Sequence, residues 1–162
     1  MNKIDKLIIA ILAITFSVGL GYGIKNVFAN GTLATTFENF GSAELGNKVK
    51  KVSMAWAVNS TGFTTQTLPG DVNDGMGSKF RGYVIRAVMN PSATPTDNYD
   101  VELRDEDGVD VFGGELYNLD QTNSEQRIPA TGATYVHSPL SLYITNATKS
   151  GAGGVLDVYI AE

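Results

Sequence analysis

LSLYITNATKSGAGGVLDVYI, residues 140–160, decides the fold class of this chain. Leu140, Leu142 and Ile144 alternate with Ser141, Tyr143 and Thr145. After a glycine-rich break at Gly151, Gly153 and Gly154, Leu156, Val158 and Ile160 alternate with Asp157 and Tyr159. A period of two places every second side chain on one face of an extended strand, so each run reads as a strand with one buried face. The glycines between them supply the backbone freedom of a turn.

The same pattern recurs towards the N-terminus. Tyr99, Val101 and Leu103 alternate with Asp100, Glu102 and Arg104. In residues 80–89, Tyr83, Ile85, Ala87 and Met89 are expected on one face, with Val84 and Arg86 on the other. In residues 49–58, Val52, Met54, Trp56 and Val58 share a face, which assigns Trp56 to the core. Turn signals separate the runs: Leu68-Pro69-Gly70, Asn73-Asp74-Gly75, Asn90-Pro91, Asp107-Gly108, Gly113-Gly114 and Thr131-Gly132. Short alternating runs with no helical period after residue 31 predict an all-β fold, an antiparallel sandwich or jelly roll ending in a paired strand. Residues 31–48 read as a linker or a first edge strand, and residues 49–162 as the β-domain.

The first 30 residues differ in kind. Residues 7–24 carry no charge over 18 positions and are flanked by Lys3 and Lys6 on one side and Lys25 on the other. As a helix they would cover about 27 Å, enough for a thin bilayer. Leu7, Ile8, Ile9, Ile11, Leu12, Ile14, Phe16 and Leu20 would then meet lipid. Two alternatives stand: a retained anchor, or a signal peptide cleaved after Ala29 in Val27-Phe28-Ala29.

Composition narrows the chemistry. The chain has no cysteine, which excludes thiol nucleophiles and thiolate metal sites. Acidic residues outnumber basic ones 17 to 12, a balance that disfavours nucleic acid as a partner. His137 is the only histidine, beside Ser138-Pro139, and no Gly-x-Ser-x-Gly elbow occurs. These features point to a chain that is not an enzyme and needs no cofactor.

Asp105, Asp107 and Asp110 cluster on one turn and are candidate calcium ligands, since that ion takes hard oxygen donors. The competing reading is a hairpin with solvated acids whose Asp-Gly step provides positive φ. Tyr143 and Tyr159 fall opposite the apolar sets of their strands, which makes them candidates for a subunit interface. A carbohydrate platform built from exposed tyrosines is a further alternative.

Residues 90–125, NPSATPTDNYDVELRDEDGVDVFGGELYNLDQTNSE, resemble a pattern of small structural proteins encoded by bacteriophages and prophages. The matching pieces are the Asn90-Pro91 opening, Asn98-Tyr99-Asp100-Val101, the run from Asp105 to Val111, Gly113-Gly114 and Asn123-Ser124-Glu125. The resemblance covers the C-terminal part of the chain only. It implies a virion-associated β-sandwich, a shell, decoration or spike component whose partners are its own copies or other virion proteins. The hydrophobic N-terminus departs from that pattern and adds a lipid membrane as partner, in a virion or a cell envelope. The alternatives are a secreted or tethered surface-binding module of a bacterium and a pilin-like filament subunit.

Overall fold

The computed structural model describes residues 26–28, 31–40, 48–59, 62–70, 79–93 and 98–162. Among them lie β1 (Asn26–Phe28), β2 (Gly31–Phe40), β3 (Val49–Ala57), β4 (Gln66–Thr67), β5 (Phe80–Ala93), β6 (Asp100–Arg104), β7 (Glu125–Arg127), β8 (Thr134–Ser138), β9 (Ser141–Thr145) and β10 (Gly153–Ala161). All strand pairings are antiparallel. The larger sheet runs β1-β2-β3-β10-β5-β7, with β8 also on β5, and the smaller runs β4-β9-β6. The described residues contain no helix, and none long and apolar enough to cross a membrane. The expected anchor, residues 7–24, lies outside the described residues.

Alternation does what the sequence predicts in most strands. Val52, Met54 and Trp56 of β3, Leu156, Val158 and Ile160 of β10, Val101 and Leu103 of β6, and Leu142 and Ile144 of β9 are all buried in one cluster. Burying each such side chain contributes about 1.5–3 kcal/mol, which gives the two sheets their reason to share a core. Trp56 of the larger sheet packs on Tyr99, just before β6, with ring centroids 5.6 Å apart. That contact ties one sheet to the other.

Two expectations need correction. First, Tyr83 and Ile85 do not share a face with Ala87 and Met89. Opposite β5, Tyr159 faces Arg86 while Ile160 faces Val84, so Ile85 is one residue too many. An extra residue in one strand inverts the faces beyond it. Val84, Ala87 and Met89 are therefore buried, and Tyr83 is turned out to 54% exposure.

Second, Asn90-Pro91 is no turn, since β5 continues to Ala93. Pro91 sits past the last residue paired with β7, at a register shift against β10. Its missing N–H is tolerated where the ladder is already interrupted. Of the two readings for residues 31–48, the strand holds over residues 31–40: β2 pairs with β3 from Thr32 to Phe40. β1 covers only its first residues, 31–33.

Candidate interaction surfaces

The acidic turn after β6 is built by its own carboxylates. Oδ1 of Asp105 accepts hydrogen bonds from the backbone N–H of Asp107 at 3.0 Å and of Val109 at 2.9 Å. Oδ1 of Asp110 accepts from the N–H of Phe112 at 3.2 Å and of Leu103 at 3.3 Å, and its Oδ2 from the N–H of Gly114 at 2.7 Å. Gly108 takes a φ of 79°, the left-handed conformation that Asp-Gly signals. Asp105 and Asp110 thus spend their lone pairs on amides that a tight turn leaves open. Asp107 is exposed beside them. No group of three or more His, Asp or Glu that could hold a metal ion occurs among the described residues.

A second acidic turn works the same way. Asp120 accepts from the N–H of Thr122 at 2.6 Å, the hydroxyl of Thr122 at 2.8 Å, and the N–H and side-chain amide of Asn123 at 2.7 and 3.0 Å. These donors, the Thr122 amide foremost, hold its carboxyl well below the usual carboxylate range. His137 is exposed on β8, opposite Arg81 of β5.

The two tyrosines expected at interfaces stand on the outward faces of different sheets. Tyr143 lies opposite Glu102, and the Arg104 guanidinium sits over its ring, 4.2 Å from the centroid. Glu102 accepts from the Tyr117 hydroxyl at 2.7 Å and from Nε of Arg104 at 2.5 Å. Tyr159 carries the Arg86 guanidinium 4.0 Å above its ring. Lys51, opposite Tyr159, pairs with Glu38 at 3.1 Å. Ser53 donates to Asp157 at 2.5 Å in the next row. A cation over an aromatic ring is attracted by the negative ring face and holds the ring in place.

Sequence reasoning missed a third feature. Register places Phe40, Val49, Ala161, Tyr83 and Tyr135 in one row across β2, β3, β10, β5 and β8. Phe40, Tyr83 and Tyr135 are 47%, 54% and 51% exposed, and the two tyrosine rings lie 5.2 Å apart at 60°. Ile128, just after β7, is also exposed. The exposure of Tyr83 was hidden by the bulge, and the row itself by strand order. Only the alternation of Tyr135 and His137 about buried Val136 was readable in the sequence.

The chain matches no protein-family profile, no curated protein and no solved structure.

Proposed function

We propose that this chain is a membrane-tethered structural protein, a shell, decoration or spike component of a virion, that works through contacts between subunits. The observation that carries the subunit contacts is the pair of arginine-capped tyrosines, Tyr143 under Arg104 and Tyr159 under Arg86, on two outward sheet faces. Tyrosine and arginine are the residues that protein interfaces concentrate, and rings already fixed by a cation lose little freedom on association. The same capping disfavours a carbohydrate platform, because a sugar stacks on an open ring face. Among the described residues no cation caps Tyr83 or Tyr135, but their rings are tilted by 60° and form no flat floor.

In this reading the two outward faces belong to a sandwich-type domain, and residues 7–24 supply the tether. The resemblance of residues 90–125 to phage structural proteins supports the virion setting, and the uncharged 18-residue span supports the membrane.

The test is to express the full chain, wash membranes with alkaline carbonate, solubilise the pellet in mild detergent and determine the particle mass by light scattering. The expected result is retention in the pellet and a discrete oligomer that Arg86→Ala and Arg104→Ala together shift towards monomer. A soluble monomer beginning at Asn30 would overturn the proposal in favour of a secreted binding module.

A further inference from the structure

The aromatic row lies at one end of the larger sheet, and that end is also cationic. Lys48 adjoins Val49 of the row, and Arg81 and Tyr83 lie on the same strand, opposite His137 and Tyr135. Lys48, Lys79, Arg81 and His137 are all exposed. Two acids among the described residues at this end are matched: Glu38 of β2 pairs with Lys51 at 3.1 Å, and Glu162, just after β10, with Lys50 at 2.9 Å. In a protein of net charge -5, the described residues of this rim thus bring cations and aromatic rings together.

Chain direction adds an independent observation. β1 runs antiparallel to β2, with Phe28 opposite Gly31 and Asn26 opposite Leu33. Traced backwards from Phe28 to Asn26, the chain points in the direction of Phe40 and the aromatic rim, with Asn26 still seven residues of β2 short of Phe40. The uncharged residues 7–24 precede it in sequence.

We propose that this rim lies against the anionic headgroups of the bilayer into which residues 7–24 insert. Phe40, Tyr83 and Tyr135 rest at the interface, where amphipathic rings place an apolar body and a wet edge together, while Lys48, Lys79 and Arg81 meet lipid phosphates. The inference rests on the tethered reading above. The acidic turn at residues 105–110 sets the tilt. Residues 139–140 carry the chain from β8 across to β9, and the turn follows β6 beside the start of β9. The acids therefore lie towards the same end but on the other sheet, where anionic lipid repels them and leaves the rim of the larger sheet leading.

The absence of cysteine makes the test direct. Single variants Lys79→Cys and Tyr135→Cys on the rim, and Ser150→Cys in the loop before β10 at the opposite end, are labelled with an environment-sensitive dye. The labelled full chains are reconstituted into vesicles of phosphatidylcholine with or without phosphatidylglycerol, and quenching by headgroup spin-labelled lipid is read. Circular dichroism confirms that each variant folds. The expected result is severalfold stronger quenching at residues 79 and 135 than at 150. The difference should grow with phosphatidylglycerol and fall when Lys48→Glu and Arg81→Glu are added to the Tyr135→Cys chain.

Equal quenching at all three positions, or indifference to phosphatidylglycerol, in chains that float with the vesicles would overturn the rim contact and leave the tether standing. Chains that fail to float would sink the tether and the rim contact together. Excimer emission from pyrene at residue 135 without lipid quenching would assign the row to a second copy and overturn the lipid proposal.

Discussion

Glu102 organises the outward face of the smaller sheet through its two oxygens. One accepts from Tyr117 and the other from Arg104, whose guanidinium then rests on Tyr143. The Arg104 bond holds the Glu102 carboxyl below its ordinary range, with Tyr117 adding to the effect. The Glu102 carboxylate in turn pushes the Tyr117 phenol up to about 12. The signs fix two pH windows. The depressed Glu102 contributes stability present above its unfolded value of about 4.3, lost as pH falls through its lower folded value. The raised Tyr117 contributes stability present below about pH 10, lost as pH rises through that value towards its folded pKa. Both groups are partly solvated, so each contribution is below about 1 kcal/mol. Ultraviolet titration of tyrosinate formation provides the check: Tyr117→Phe should remove one late-ionising tyrosine, and Glu102→Gln should return that transition towards about pH 10. Unchanged late ionisation in Glu102→Gln would refute the assignment. The sequence showed Glu102 and Arg104 sharing a face of one strand. It gave no sign of Tyr117, which follows two turns and reaches the face only through folding.

At the scale of the element, β5 is where local pattern and structure part. Its alternation was readable on either side of Ile85, but the bulge was not, because a bulge is defined by the register of the partner strand. Gly82 lies three residues before Ile85, just beyond the pairing of Tyr83 with Ala161. Its φ is 135°, and a Cβ there would lie 2.4 Å from the carbonyl oxygen of Ala161 and 2.8 Å from Ile160 Cγ2. Gly82→Ala therefore forces both backbone strain and a clash between two paired strands, and should cost about 2–4 kcal/mol in denaturant unfolding. Gly108→Ala is a control for positive φ alone, since a Cβ there meets nothing within 4 Å, and it should cost about half as much. Equal losses in the two variants would show that the close approach to β10 contributes nothing. Asp107-Gly108 was legible as a turn because Asp-Gly acts locally. Gly82 was not, because what it makes room for lies far along the chain.

For the whole molecule, the decisive strand is the last. β10 sits between β3 and β5 and pairs with both along its full length. Leu156, Val158 and Ile160 fill the core from its inner face. Removing residues 153–162 should therefore abolish cooperative unfolding rather than fray an edge, leaving a chain that binds ANS and loses its near-ultraviolet circular dichroism. A truncated chain with a sharp two-state transition would contradict this. The sequence by itself determined the strand class, the burial of Trp56, the outward faces of Tyr143 and Tyr159, and the Asp-Gly turn. Each of these follows from side-chain period or backbone preference over a few neighbouring residues. Tertiary structure alone decided that the C-terminal strand is central, that a bulge turns Tyr83 outward, and that Phe40, Tyr83 and Tyr135 fall in one row. Those facts depend on which strands pair and in what register, and pairing free energy is settled between residues distant in sequence, where no local pattern records it.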